Sequence, residues 1–139
     1  MNGKSKASLF LIEKLIVVAV FAVCAAACAE IFVESYLMAN SARDTNYALA
    51  AAKNGAERYK ALGDLSEIAE SLGGHVSNAD GESAVVFYDS DWRVSAEEDA
   101  AYVMRISRTD SVSPTVSELS VEKVTGEEII SFTVAARSR

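Results

Sequence analysis

Glu13 is the residue of this sequence whose position most needs a chemical explanation, because it is a carboxylate inside a long apolar run. The run covers Leu9–Val33, and between Leu15 and Ala29 its only polar side chains are two cysteines. A carboxylate near hydrocarbon costs roughly 2–3 kcal/mol. Glu13 therefore either marks the headgroup level together with Lys14, or meets a cationic partner that neutralises it.

The two cysteines, Cys24 and Cys28, are the next candidates for chemistry. Their four-residue spacing puts them on one face of a helix, among several alanines. Small residues of this kind favour close approach of another helix, which is the interpretation we prefer. Palmitoylation and a disulfide between two copies are the alternatives. Because no cysteine follows Cys28, the sequence predicts no disulfide in the rest of the chain.

An acidic cluster surrounds the first predicted strand. Calcium binds several carboxylate and carbonyl oxygens, so Asp89 and Asp91 are weak calcium candidates. The spacing matches no EF-hand loop, and a solvated acidic rim is the preferred interpretation. We expect no metal and no other cofactor. The members of the cluster are Asp80, Glu82, Asp89, Asp91, Glu97, Glu98 and Asp99.

The sequence shows no catalytic constellation. Its one histidine, His75, lies in a predicted loop, and no cysteine and no Gly-x-Ser-x-Gly motif accompanies it. No glycine-rich phosphate loop follows a strand. We therefore expect that the protein is not an enzyme. Trp92 has two interpretations that stay open: a surface contact for a neighbouring subunit, or a side chain that folds back over the sheet edge.

The charge pattern indicates a membrane protein with an acidic outer part. As a helix, Leu9–Val33 spans about 36 Å, enough to cross a hydrocarbon core of about 30 Å. Lys4 and Lys6 lie on its short N-terminal side, which predicts a cytoplasmic N-terminus and an exported C-terminal part. Beyond Glu34 there are ten Lys/Arg and seventeen Asp/Glu, so nucleic-acid binding is disfavoured.

Two other interpretations of the apolar run remain. It could be a cleaved secretory signal, with Ala-Cys-Ala at 27–29 as the cleavage site, or a lipoprotein signal that ends at Cys28. Helix-compatible sequence continues past Ala29, and Glu13 is unusual in a signal peptide. The lipoprotein motif would have leucine where this chain has Ala25.

The apolar run continues into a long helix. No proline or glycine occurs between Ser8 and Asn54, and the pattern predicts one helix from Ser8 to Leu62, about 80 Å long, with Gly63 as its C-cap. Its second half is amphipathic, because apolar residues recur at helical spacing. The predicted buried face consists of Tyr47, Ala51, Tyr59 and Leu62.

The remainder predicts a short helix and a sheet. Asp64 caps Leu65–Leu72, Gly73-Gly74 ends it, and His75–Glu82 reads as a loop. Alternation with a period of two then predicts an antiparallel sheet. Its four strands are Ala84–Asp89, Ala101–Asp110, Val116–Val124 and Glu128–Ala136, with a tight turn at Thr125-Gly126. Their predicted inward residues are Tyr102, Met104 and Ile106, then Leu119 and Val121, then Ile130, Phe132 and Val134.

The fold class is therefore α+β. A long N-terminal helix, with a membrane half and an amphipathic half, packs on a small antiparallel β-meander of about four strands. This plan, together with Leu11-Ile12-Glu13 and the apolar residues after it, resembles type IV pilins and type II secretion pseudopilins. In that family a basic leader precedes Leu-Ile-Glu, and the glutamate is thought to neutralise the N-terminal ammonium of a neighbouring subunit.

The resemblance implies a cut by a prepilin peptidase between Ser8 and Leu9, and an assembly role for Glu13. Ser8 and Leu9 stand where the family usually has glycine and phenylalanine, which favours a minor pilin or pseudopilin over a major pilin. The implied domains are a basic leader (1–8), a transmembrane and assembly helix (9–33), its amphipathic continuation (34–62) and a globular pilin-like domain (63–139).

The implied function is that of a structural subunit of a type IV pilus or a type II secretion-type filament. The subunit would be single-pass in the cytoplasmic membrane, and extracellular after assembly. Its partners would be other pilin-like subunits, the membrane, a prepilin peptidase and a membrane assembly platform. The alternative is a non-polymerising single-pass membrane protein whose acidic outer domain binds a protein partner.

Overall fold

A computed structural model describes residues 2–79, 82–109 and 115–136 of the chain. The chain forms two compact units, Met1–Ala42 and Arg43–Arg139, whose boundary falls inside the first helix. The elements, in chain order, are α1 (Asn2–Leu62), α2 (Leu65–Leu72), β1 (His75–Ser77), β2 (Ser83–Tyr88), a 3-10 turn (Glu97–Asp99), β3 (Tyr102–Arg108), β4 (Thr115–Lys123) and β5 (Glu128–Ala136).

The first unit consists of α1 up to Ala42. The predicted unbroken helix is confirmed, and it begins before Ser8. All described side chains between positions 3 and 42 are exposed within the chain. This helix is long and apolar enough to cross a membrane.

The sheet of the second unit is an antiparallel meander in the order β1-β2-β3-β4-β5. The four predicted strands are all present, with slightly different bounds. The prediction of a loop over His75–Glu82 is wrong in its first part, because β1 is a fifth strand that pairs with β2. Gly74 allows this pairing, since a Cβ there would lie 2.1 Å from the carbonyl oxygen of Val85. The rest of that predicted loop includes Asp80, which lies outside the described residues.

Part of α1 covers the sheet with small side chains. Its buried positions are Ala48, Ala52, Gly55, Ala56 and Tyr59. The predicted face of Tyr47, Ala51, Tyr59 and Leu62 is therefore largely wrong. Only Tyr59 is fully buried, whereas Tyr47 is 47% and Leu62 40% exposed, and Ala51 is half-buried.

Gly55 explains why α1 buries its face of small residues rather than the predicted face of large ones. A Cβ at Gly55 would lie 3.1–3.3 Å from the side chains of Met104, Ile106 and Leu119, so the helix backbone lies directly on the sheet. Large residues at these positions would hold the helix away from the sheet and leave voids, which close-packed interiors do not tolerate.

The inward side chains of the sheet match the predicted alternation. Those predicted for β3 and β4 are buried, while in β5 Val134 is buried and Ile130 and Phe132 are half-buried. The caps are confirmed as well. Asp64 Oδ1 accepts hydrogen bonds from the backbone N–H groups of Ser66 and Glu67 at the start of α2. Gly126 makes the β4–β5 turn with φ +89°.

Candidate assembly helix and Trp92 cluster

Glu13 lies on α1 without a cationic partner in the described part of the chain. Lys14 is its neighbour in sequence, but residues one apart on a helix do not face each other. The Lys14 ammonium instead lies 5.3 Å from the centre of the Phe10 ring. Among the described residues the one ion pair is between Lys123 and Glu127. The Glu13 carboxylate can therefore bind a cation outside this part of the chain, or lie among the lipid headgroups.

The helix around Glu13 exposes large apolar side chains on all sides, with Lys14, Glu30 and Glu34 as the other charged residues between Leu9 and Met38. From Leu9 to Met38 the large apolar side chains of α1 are between 51% and 76% exposed. This surface, which we call the assembly helix surface, continues five residues beyond the predicted end of the membrane segment at Val33. A soluble protein rarely exposes so large an apolar surface, which marks a contact with a membrane or with other proteins.

Cys24 and Cys28 lie on the assembly helix surface, exposed and unpaired. Their alanine-rich face has no partner among the described residues. Close helix packing, palmitoylation and an intersubunit disulfide all stay predictions.

Trp92 folds back onto the domain. Its ring stacks on Tyr102, with centroids 4.0 Å apart and an interplanar angle of 18°. Two further tyrosines, Tyr47 of α1 and Tyr88 of β2, have ring centroids 6.0 Å from it. These four rings form the Trp92 cluster, which resolves the two interpretations of Trp92 in favour of a side chain packed over the sheet.

A tight turn sets the direction of the Trp92 side chain. Asp89 Oδ1 accepts hydrogen bonds from the backbone N–H groups of Asp91, at 2.8 Å, and Arg93, at 2.9 Å. Trp92 adopts φ +62°, a left-handed conformation that costs a residue other than glycine about 1–2 kcal/mol. The stacking of the indole, a large apolar group, offsets this strain.

The Trp92 cluster also holds a polar contact to α1. The Tyr102 hydroxyl donates a hydrogen bond of 2.9 Å to Asp44 Oδ1. Burial, followed by this hydrogen bond, raises the pKa of Tyr102 above its ordinary value, so the phenol stays protonated as the donor. The Arg43 guanidinium lies 5.6 Å from the centre of the Tyr47 ring. Arg43 and Tyr47 lie on the same helix, so the contacts that fasten α1 to the sheet here are the Asp44–Tyr102 hydrogen bond and the stacking of Tyr47 on Trp92.

One residue of the acidic cluster, Asp89, has a structural role. Asp89, one of the two weak calcium candidates, uses one oxygen to organise the Trp92 turn, while Asp91 is exposed. No group of three or more His, Cys, Asp or Glu side chains in residues 2–79, 82–109 and 115–136 is arranged to hold a metal ion. Calcium binding at Asp89 and Asp91 stays a prediction.

The outer face of the sheet carries a shallow cavity of about 310 Å³. Val85, Phe87 and Val103 form its apolar lining, and His75, now at the start of β1, stacks on Phe87 with ring centroids 5.6 Å apart. The charged side chains around it are Arg105, Lys123, Glu97 and Glu122. Two cations and two carboxylates give this lining a formal charge of zero, and Lys123 pairs with Glu127 beside it.

The first unit contains the predicted cleavage and assembly residues on α1, which are Ser8, Leu9 and Glu13. The second unit contains the Trp92 cluster. No protein-family model, no curated protein and no solved structure matches the chain. The architecture itself is pilin-like: a long N-terminal apolar helix whose later part packs on an antiparallel sheet.

Proposed function

We propose that this chain is a structural subunit, of the minor pilin or pseudopilin type, of a type IV pilus or type II secretion-type filament. Before assembly it is a single-pass protein of the cytoplasmic membrane, with its N-terminus inside and its C-terminal domain outside. A prepilin peptidase cuts between Ser8 and Leu9. A membrane assembly platform then transfers the subunit to the filament, where its partners are other pilin-like subunits.

The assembly helix surface carries this proposal. Its large apolar side chains are exposed on every side of α1 from Leu9 to Met38, which is about 45 Å of helix. Glu30 lies about 31 Å along the helix from Leu9, and a hydrocarbon core is about 30 Å thick, so a membrane would cover Leu9–Ala29 and leave the large apolar side chains of 31–38 at or beyond its headgroups. Packing among the helices of neighbouring subunits would cover the whole length.

Extraction from the membrane costs little in this mechanism. Lipid tails and the apolar side chains of neighbouring helices provide similarly apolar surroundings, so the hydrophobic free energy hardly changes between bilayer and filament. Packing then depends on shape, and the small residues around Cys24 and Cys28 allow close approach of a second helix.

Glu13 supplies the register. Its carboxylate has no cationic partner in the described part of its own chain, and a cut after Ser8 would create a new ammonium at Leu9. A buried charge that loses its opposite-charge partner is strongly destabilising. The ammonium of a neighbouring subunit beside Glu13 would therefore favour one axial position of the helix over all others.

The intact mass of the protein, isolated from membranes of cells that carry a prepilin peptidase, tests the proposal. We expect the loss of Met1–Ser8 and recovery of the protein in sheared filaments. Glu13→Ala should be cut normally but should fail to enter filaments. Glu30→Ala is the matched control, because Glu30 is an exposed carboxylate on the same helix, and it should be cut and assembled as the natural chain is.

Two outcomes would contradict the proposal. An uncut chain that stays in the membrane would favour the alternative function, a non-polymerising protein whose acidic domain binds a partner. A cut after Ala29, or a lipid on Cys28, would identify the apolar run as an export signal and exclude both functions. Equal assembly of Glu13→Ala and the natural chain would refute the role of Glu13.

A further inference from the structure

Four charged side chains lie on the assembly helix surface, and two of them are carboxylates on the same face. Glu30 and Glu34 are about one helical turn apart, and both are exposed. Like charges at this spacing repel each other. Neither carboxylate has a cationic partner in the part of the chain that the structure describes. Packing this surface against other helices would therefore bury two uncompensated negative charges.

A shallow groove of about 380 Å³ lies beside these two carboxylates. Its apolar lining consists of Ala29, Val33 and Leu37, which follow one another at helical spacing on one face of α1. A group that fits this groove must be apolar along most of its length and positively charged at its tip. The lysine side chain has this form, because a stem of methylene groups carries its ammonium.

The assembly helix surface contains one lysine, Lys14. Its ammonium lies 5.3 Å from the centre of the exposed Phe10 ring, and no carboxylate of the described residues pairs with it. At 3.6 residues per turn, Glu30 and Glu34 each lie about 160° around the helix axis from Lys14, on either side of the point directly opposite. Parallel copies that differ only by a shift present opposite faces to each other. The lysine of one copy therefore faces the carboxylates of the next, which singles out a second copy as the occupant of the groove.

The axial spacing of these charges fits removal of a subunit from the membrane. Glu30 lies about 24 Å and Glu34 about 30 Å along α1 from Lys14. A hydrocarbon core is about 30 Å thick, so a copy raised out of the bilayer brings its lysine to the outer headgroups. A copy that is still in the membrane holds both carboxylates at that level. Both copies keep their N-termini toward the cytoplasm, as a shared membrane requires.

We propose that Lys14 of one copy binds Glu30 and Glu34 of a neighbouring copy, with the two α1 helices parallel and shifted by about 24–30 Å. This inference rests on the proposed function and names a partner for its helix contacts. Because the contact joins opposite faces of the helix, each copy gives its lysine to one neighbour and receives a lysine from another. Such a contact does not close on itself, as a filament requires. The Glu13 contact needs a shift of only about 6 Å, so it involves a different neighbour.

A carbodiimide, which joins an amine directly to a carboxylate, tests this contact in sheared filaments from cells that carry a prepilin peptidase. Peptide mass spectrometry should find amide bonds from Lys14 to Glu30 and to Glu34. Within one helix these groups are at least about 24 Å apart, so each such bond joins two copies. The bond between Lys123 and Glu127, whose charged atoms lie 2.9 Å apart in the same chain, is the positive control.

Removal of the charges tests whether they act as a pair. K14M leaves two carboxylates unpaired and E30Q/E34Q leaves a lysine unpaired, so each should lower the amount of subunit in sheared filaments at least roughly tenfold. Either carboxylate alone can pair with the lysine, so E30Q and E34Q should each assemble within about twofold of the natural chain. K14M/E30Q/E34Q leaves no charge of this set unpaired and should recover to within about threefold. Intact masses check that every variant is cut.

Three results would overturn this inference and leave the proposed function untouched, because each requires filaments of the cut chain. The control bond could form in filaments in which Lys14 has no bond to Glu30 or Glu34. Lys14 could be joined only to a different protein, which would assign its contact to another kind of subunit. K14M/E30Q/E34Q could assemble no better than K14M. An uncut chain, or the absence of filaments, would instead overturn the proposed function and this inference with it.

Discussion

Replacing Trp92 should unfold the domain at a much lower temperature, although the side chain is only half-buried. Trp→Ala changes in cores cost about 3–5 kcal/mol, and the partial exposure of Trp92 places it near the lower end. Its three tyrosine contacts support this figure, since aromatic pairs contribute about 0.5–1.5 kcal/mol each. For a domain of about 100 residues, a loss of 3 kcal/mol lowers Tm by roughly 12–24 °C.

The positive φ of Trp92 adds a second, sharper expectation. Alanine at φ +62° keeps the backbone strain, whereas glycine adopts this conformation freely. W92G should therefore be as stable as W92A or more stable by up to about 1 kcal/mol, the reverse of the usual order. W92F should stay within about 1.5 kcal/mol of the natural chain, because the buried indole N–H has no hydrogen-bond partner among the described residues to lose.

Thermal melts of the full-length protein in detergent, followed by near-UV circular dichroism of the tyrosines, measure these differences. Fluorescence is unsuitable because Trp92 is the only tryptophan. Tyr36→Ala is the control, since Tyr36 is 68% exposed on the assembly helix surface and should not change Tm. A Tm of W92A within about 3 °C of the natural value would refute the stacking argument, and W92A clearly more stable than W92G would refute the strain argument.

Two further predictions concern the ends of α2. Asp64→Ala removes the N-cap, and we expect Tm to fall on the order of 5 °C at pH 7. Hydrogen bonds, first from the Ser66 hydroxyl and then from the Ser66 and Glu67 amides, lower the pKa of Asp64. A lowered carboxyl pKa stabilises the fold above the unfolded pKa, and this stabilisation is lost as the pH falls through the folded pKa. The Tm gap between the natural chain and Asp64→Ala should thus close below about pH 4, and a constant gap from pH 7 to pH 2 would contradict the capping role. Gly74→Ala should lower the free energy of unfolding in urea by more than about 2 kcal/mol, because its Cβ would meet the Val85 carbonyl oxygen at 2.1 Å and separate β1 from β2. Gly126→Ala, with a positive φ but open space around it, should cost only about 1 kcal/mol, and equal costs for the two would show that β1 yields without penalty.

The sequence allowed the main elements to be predicted because their signals are local. An unbroken run without proline or glycine predicts α1, and the alternation in 101–136 predicts three strands with their inward residues. β1 escaped prediction because three residues after two glycines carry no periodicity. Its strand character comes from pairing with Val85, Ala84 and Ser83, which is a tertiary contact.

The buried face of α1 was mispredicted for a related reason. A prediction from hydrophobic periodicity assigns large residues such as Tyr47 and Leu62 to the buried face. In the structure the buried face instead consists of small residues, which let the helix backbone approach the sheet. Ala48, Ala52 and Gly55 follow the same helical spacing on a neighbouring face, so their small size was the available signal. The Trp92 cluster unites residues far apart in sequence, and its geometry depends on the Asp89 turn, which no periodicity reveals.

One helix thus uses two different kinds of side chain for two different tasks. Up to Met38, α1 presents large apolar side chains on every side, and none of them is buried by the described part of the chain. From Ala48 onward it buries small residues and Tyr59 on one face against its own sheet. Substitutions in the first part should therefore change association and leave the melting of the domain unchanged, while those in the second should change melting. Glu13→Ala and W92A are the pair that tests this separation, because each is expected to affect one property without the other.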